Sequence, residues 1–286
     1  MNPIEPRKAR RSRAGDRSHS RRRIVMALLA GLASVAASAA EFVAPYVPSA
    51  QEDVDVMLEL ADVGPADYLI DLGSGDGRIV ITAAFRGAMG HGVELDRELV
   101  ALAHERARNA EVEDLVTFVE GDIFQTDVRP ASVVTLYLMP EVNLRLRPRL
   151  LAELRPGTRV VSNSFDMGEW RPDRQAMGRS SGGIMLWIVP ADVDGRWSLR
   201  VDDQRLELSI DQLFQEFSAT LSHDGARHHM LQTALRGDRI AFLSGEGANR
   251  YAFSGRVDGA RMSGVVQIHG LHDGDARVAA WTAERR

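Results

Sequence analysis

Between residue 48 and about residue 190, apolar positions alternate between short continuous runs and helical spacing. Ser49 stands where a cap would open a helix whose apolar residues Val54, Met57, Leu58 and Ala61 recur at i, i+3, i+4 and i+7, with Gly64-Pro65 as its stop. Tyr68-Leu69-Ile70-Asp71-Leu72 then reads as a buried strand and runs into Gly73-Ser74-Gly75-Asp76-Gly77. A helix is predicted over 79–86, a strand end over 92–96 and a helix over 97–110 carrying Leu99, Val100, Leu102, Ala103 and Ala107 on one side. Strands at 116–119 and 132–138, a helix to residue 154 and a fifth strand at 158–165 complete the series. Strand alternating with helix at this spacing predicts an α/β fold, a parallel sheet with helices on both faces.

From residue 194 the texture changes. Short stretches rich in Val, Leu, Phe and Ile are separated by the turn pairs Asp224-Gly225, Gly237-Asp238, Asp258-Gly259 and Gly274-Asp275. Strands are predicted at 204–210, 239–243, 251–257, 262–269 and 277–282, which gives a small antiparallel β-rich domain, a barrel or sandwich. The domain reading is a leader at 1–40, the α/β domain at 41–193 and the β-rich domain at 194–286.

Charge separates the leader from the rest. The chain has 286 residues and a formal charge of −5, yet residues 1–40 hold nine basic residues against Glu5 and Asp16, leaving −12 for residues 41–286. Lys8 is the single lysine, a bias that a GC-rich genome explains. The absence of cysteine excludes a thiol nucleophile, Cys-ligated zinc and an iron–sulfur site. The Arg-rich stretch to Arg23, the apolar run to Ala40 and the Ala37-Ser38-Ala39 pattern read as an export signal or membrane-targeting leader. Ser20-Arg21-Arg22-Arg23-Ile24-Val25 resembles a twin-arginine signal. The leader implies the periplasm, or the cytoplasm if it does not function.

Candidate chemistry falls at the carboxyl ends of the predicted strands, where open α/β sheets bind ligands. The turn at 73–77 departs from G-x-G-x-x-G, because its third glycine comes one residue early and Arg78 follows, which argues against a dinucleotide. A P-loop would need a lysine there. Glu94 lies 21 residues beyond Gly73, where a carboxylate can accept both hydroxyls of a ribose, and Asp122 ends the third strand, where it can take an exocyclic amine. Three such features in register suit an adenosine ligand without a pyrophosphate.

These residues resemble the class I methyltransferases that use S-adenosylmethionine. That resemblance implies a Rossmann-like sheet, with Asp71, Gly73, Ser74, Gly75, Asp76 and Gly77 forming the turn against the cofactor, Glu94 on its ribose, and Asp122 with Ile123 at its adenine. Asp71-Leu72-Gly73-Ser74-Gly75-Asp76-Gly77-Arg78-Ile79-Val80, the helix after Pro48 and Trp170 are similar, more narrowly, to a protein-lysine methyltransferase family. Its mitochondrial members modify inner-membrane proteins such as ATP synthase subunit c. The resemblance covers residues 46–175 and implies a protein substrate, membrane-associated in those members.

A lysine amine must arrive deprotonated, which an apolar, partly desolvated mouth favours, and such a mouth would lie along Thr135-Leu136-Tyr137-Leu138-Met139-Pro140-Glu141. Tyr137 can orient an amine or can be a core aromatic of a buried strand; Glu141 can attract a basic side chain or can simply favour a helix dipole. Asn143, Asp166 and Trp170 are weaker candidates. The segment lacks the Asn/Asp-Pro-Pro-Tyr pattern of methyltransferases acting on bases or glutamine, and the −12 body would repel nucleic acid. His223, His228, His229, His269 and His272 lack carboxylates at ligand spacing, so no metal is expected; Arg236-Gly237-Asp238 reads as a hairpin turn. Two alternatives stand beside the lysine reading: a small-molecule or lipid methyltransferase, and a non-enzymatic envelope binding protein on the same scaffold. No reading of oligomeric state follows.

Overall fold

Leu69 and Ile70, Val133 and Val134, and Val160 and Val161 are all buried, yet each pair divides between two separate cores. Neighbouring side chains on a strand point to opposite faces, so the sheet that holds them is covered on both sides. The computed structural model describes residues 46–179, 182–223, 225–246, 249–269 and 277–286. The leader with its arginine and Ala37-Ser38-Ala39 patterns, Asp224, Gly274-Asp275 and His272 lie outside the described residues.

The first sheet contains β1 (Tyr68–Leu72), β2 (Met89–Glu94), β3 (Val116–Glu120), β4 (Val133–Leu136), β5 (Arg159–Asn163), β6 (Arg174–Ala176) and β7 (Ile184–Ile188), in the order β3-β2-β1-β4-β5-β7-β6. Helices α1 (Gln51–Leu60), α2 (Arg78–Ala84) and α3 (Arg97–Asn109) cover one face, and α4 (Pro140–Glu153) covers the other through Leu146 and Leu150. The Rossmann-like expectation holds for β1 to β5, which pair in parallel. The last two strands depart from it: β7 runs antiparallel to β5, and β6 antiparallel to β7. A parallel neighbour needs a crossover, usually a helix, and the stretch after β5 carries Gly168, Pro172, Gly178, Gly182 and Gly183 instead of a helical repeat.

Ser49 does not cap α1. The N-cap is Ala50 with no side-chain bond, and Ser49 Oγ accepts from the buried Asn163 Nδ2 at 3.3 Å. The helix therefore starts where tertiary contacts, not a local cap, fix the chain.

The second sheet has nine antiparallel strands: β8 (Gly195–Val201), β9 (Gln204–Leu213), β10 (Glu216–His223), β11 (Ala226–His229), β12 (Gln232–Arg236), β13 (Arg239–Glu246), β14 (Asn249–Asp258), β15 (Arg261–His269) and β16 (Arg277–Arg285). It curls until its two ends meet, where Thr233 Oγ1 of β12 donates to Phe217 O of β10. Its interior is filled. Phe242 stacks on Phe253 with centroids 4.6 Å apart, and Trp281 stands edge-on to both. A Cβ on Gly255 would lie 2.6 Å from Trp281 Cζ2, so this glycine makes room for the indole.

The two sheets belong to one unit, residues 44–286. Ala191 N donates to Gly237 O at 2.9 Å, and Gln215 Nε2 to Arg171 O at 2.7 Å. Phe214, with φ 55°, turns the tip between β9 and β10 so that its ring stacks on Trp170 at 6.2 Å and receives Arg147 at 5.3 Å. Phe214 is half-buried, so Phe214→Ala should cost about 1–3 kcal/mol, below the value for a fully buried ring. Urea unfolding measures this, and an unchanged midpoint would show that the tip does not hold the sheets together.

Candidate functional site

The strand β1 delivers the chain into a turn that only glycine tolerates at three of five positions. Gly73, Gly75 and Gly77 have φ of 84°, 54° and 79°. Gly73 N and Ser74 N both donate to Val93 O, at 2.8 and 3.0 Å, which hangs the turn from β2. Tyr46 lies over Gly75, where a Cβ would come within 2.4 Å of the ring, and Leu138 lies over Gly73.

Glu94, the last residue of β2, is fixed by three backbone amides. Its Oε2 accepts from Gly75 N at 2.9 Å, and its Oε1 from Leu95 N at 2.8 Å and Asp96 N at 3.1 Å. Three of the roughly four acceptor sites of the carboxylate are taken, so Oε2 keeps one for a ligand hydroxyl. Gly121 N donates to Glu94 O, which brings the end of β3 beside it. Asp122 there is exposed; its Oδ1 accepts from Phe124 N at 2.8 Å, and Ile123 beside it is half-buried. The three features read from strand ends do come together around one edge of the turn.

The other acids of the turn face inward. Asp71 is buried, takes a hydrogen bond from Thr135 Oγ1 at 2.7 Å and has no partner for Oδ2. Burial pushes its carboxyl up to about 7, and Glu94 and Asp76 add like-charge repulsion. Ser74 Oγ is also buried without a partner. Asp76 receives Arg78 Nε at 2.9 Å, Arg78 Nη2 at 2.6 Å and Arg106 Nη1. Burial opposes its charge, but the Arg78 and Tyr46 hydrogen bonds hold its carboxyl below the usual range. Asp76 is therefore a buried pin, and its oxygens are committed to the protein. Arg78 Nη1 also donates to Ser49 O at 2.6 Å, tying the entry segment over the turn. Tyr46 escaped the sequence reading, and Arg78 was read only as part of the motif; the one trace of Tyr46 was the glycine at 75, which leaves room for a ring without saying which.

At the mouth, Tyr137 follows β4 and is half-buried, its ring stacked on Phe165 with centroids 6.3 Å apart and planes at 19°. Glu141 is exposed in the first turn of α4. Asp166 accepts from Gly168 N at 2.9 Å. Trp170 is removed from the list of mouth candidates: it is fully buried among Trp187 and Phe214. The Arg236-Gly237-Asp238 sequence forms the β12–β13 turn, with Arg236 paired to Arg239.

A family model for the ANTKMT methyltransferase domain matches residues 71–174. A protein-lysine N-methyltransferase of Saccharolobus islandicus is 43% identical over 51% of this chain and 93% of its own length. The chain belongs to the protein-lysine N-methyltransferase family. The adenine nucleotide translocase lysine N-methyltransferase of Mus musculus is 38% identical over 45% of this chain, which spans 56% of that relative. A solved structure described as an RNA methyltransferase from Salinibacter ruber, in complex with S-adenosyl-L-homocysteine, is 52% identical over 51% of this chain and 96% of its own, with a TM-score of 0.49. The family model covers the methyltransferase from the glycine turn through Tyr137, Glu141 and Phe165, and stops before the second sheet.

The donor set fits S-adenosylmethionine. Glu94 and Asp122 offer open acceptors at one edge of the glycine turn, and the carboxyl of Asp71 beneath it has an Oδ2 without a protein partner. Asp71 also makes stability depend on pH. Its folded carboxyl titrates near 7 against 3.8 unfolded, so the folded state holds the extra proton and stability falls as pH rises through that window. Without cofactor, Asp71→Asn should flatten the decline between pH 5 and 8, a difference of a few kcal/mol in urea unfolding. Parallel pH profiles for the two proteins would show that Asp71 ionises freely.

Proposed function

We propose that this methyltransferase moves the methyl group of S-adenosylmethionine to the side-chain amine of a protein lysine. The observation that carries the reading is the convergence of the glycine turn, the amide-held Glu94 and Asp122 on one edge, beside a half-buried aromatic mouth at Tyr137 and Phe165. The lysine acceptor is supported by the 43% identical relative, whose name states that substrate.

The bound sulfonium would supply an electrophilic methyl and leave as a neutral thioether. The protein's own contribution is alignment and exclusion of water. Glu94 would accept the ribose hydroxyls and fix the long axis of the ligand, with Asp122 and Ile123 at the adenine. Leu138 over Gly73 and the Tyr137–Phe165 pair make the approach apolar, which favours the uncharged amine that transfer requires. The Tyr137 hydroxyl can accept an N–H of that amine. Glu141, exposed at the rim, would attract the lysine before it loses its proton.

Charge supports a basic protein acceptor over RNA. Residues 41–193 hold 14 Arg against 25 Asp and Glu, whereas residues 194–286 hold 12 against 13, so the acidity belongs to the domain with the mouth. Lys8 being the single lysine, residues 9–286 offer no target for self-methylation.

The N-terminal pattern supports targeting to or across a membrane. The methyltransferase then needs cofactor where the leader takes it, and anchoring on the cytosolic side resolves that need more simply than export. Among the described residues no helix is long and apolar enough to cross a membrane. Replacing Arg21 and Arg22 by Lys and fractionating cells tests the address; an unchanged distribution would rule out the twin-arginine reading.

Titration of the full chain with S-adenosylmethionine should show binding, weakened by about tenfold or more in Glu94→Ala. With tritiated cofactor and cell lysate, label should appear as methyl-lysine after protein hydrolysis. No binding would sink the enzyme reading; label confined to RNA or to the organic extract would move the acceptor.

A further inference from the structure

Phe165 reaches Tyr137 through an unusual turn. Ser164, directly after β5, has φ 69°, a conformation that non-glycine residues seldom adopt, and Phe165 N donates to Asn163 O at 2.9 Å. The turn is held from α4. Asn143 is fully buried, and its Nδ2 lies 3.1 Å from Phe165 O, 3.4 Å from Asp166 O and 3.2 Å from Ser162 Oγ. Two backbone carbonyls can only accept, which fixes the amide nitrogen on that side; Asn143 Oδ1 is left buried with no partner. A buried carbonyl left unpaired is costly, so the side chain is kept for what its nitrogen does.

We propose that Asn143 is a positioning residue for methyl transfer, holding the Phe165 turn so that Phe165 buttresses Tyr137 as one wall of the acceptor slot. The inference rests on the lysine methyltransferase reading and adds Asn143 to it, with a role for Phe165. At 6.3 Å between centroids the rings are too close for a lysine chain to pass between them, so they act as a single surface along which it lies. Neighbouring strands place them: Leu136 of β4 is paired with Ser162 of β5, and both rings emerge just beyond that pair. Phe165 fixes the plane of the Tyr137 ring, and with it the direction of a hydroxyl that has no protein hydrogen-bond partner among the described residues. Near-attack geometry is lost with small misplacements, so loosening this wall should slow transfer without weakening the cofactor.

The test combines catalysis with a readout that needs none. The chain has four tyrosines, at 46, 68, 137 and 251, so full-length protein made with 3-fluorotyrosine gives four fluorine resonances; Tyr137→Phe assigns one. Asn143→Ala and Phe165→Leu should shift or broaden the Tyr137 resonance while leaving those of Tyr68 and Tyr251 in place. At saturating S-adenosylmethionine, both should form methyl-lysine on lysate protein about tenfold more slowly or worse, with cofactor affinity within about twofold of wild type. Phe165→Tyr keeps a ring and should restore most of the rate. If Asn143→Ala does not fold, the Phe165 pair decides. An unmoved Tyr137 resonance, a wild-type rate in Phe165→Leu, or a loss of cofactor affinity as large as the loss of rate would overturn the proposal. A wild-type protein that forms no methyl-lysine while its fluorine shifts follow expectation would instead defeat the acceptor reading.

Discussion

The site depends on a buried negative charge. Asp76 is 2% exposed, and a carboxylate taken that far out of water is tolerable only when cations and donors surround it. Those groups arrive from three places: Arg78 from the start of α2, Arg106 from the last turn of α3, and Tyr46 from the segment before α1. Satisfying one carboxylate therefore locates two helices and the entry strand around the glycine turn. Arg78 extends the constraint by reaching Ser49 O, and Ser49 Oγ in turn receives Asn163 at the end of β5. The glycine turn is thus linked to the end of β5, where the Phe165 turn begins, through polar contacts that would be expensive to leave unmade.

This explains which parts of the molecule were legible in sequence. The placement of Glu94 and Asp122 was legible because it follows from the strand pattern alone: Glu94 ends β2, and Asp122 stands just beyond the end of β3. The strands were legible for a related reason. A buried strand such as Tyr68–Leu72 needs an apolar run whatever its neighbours are. Asp71, Ser74 and Asp76 sit in the right motif, but the reading could not tell inward from outward side chains within a turn, and all three point in. Tyr46 and Phe165 act through partners distant in sequence or through a positive φ at Ser164, and neither leaves a local pattern; Arg78 stood in the motif beside Asp76, but its reach to Ser49 O was not legible. The cap expected at Ser49 failed because tertiary hydrogen bonding outbid the local option.

In the second sheet, the predicted strands were those with enough apolar positions to stand out, such as β14 and β15. The missed ones, β8, β10, β11 and β12, are short or strongly polar on their outer face. Arg196, Arg200 and Ser198 interrupt the buried Trp197 and Leu199 of β8 one for one. Alternation of that kind is the expected signature of a half-exposed strand, but with seven residues or fewer it competes poorly against turn signals. The sheet supplies what the sequence does not: β8 and β10 are paired on both sides, and β11 and β12 each extend a hairpin with the strand beside them.

The packing of the second sheet bears on what it does for the enzyme. Its interior is occupied by Trp197, Trp281, Phe242 and Phe253. Its hydrogen bonds to the first sheet are made at Arg171 and Ala191, and Gly237 packs on Gly157, which precedes β5. The glycine turn, Glu94 and Asp122 all follow the other ends of their strands. The β-rich domain therefore grips the catalytic domain at the ends of β5 and β7 remote from the mouth, while Phe214 braces α4 through Arg147. Because α4 also carries Asn143, bracing it steadies the helix from which the Phe165 turn is held.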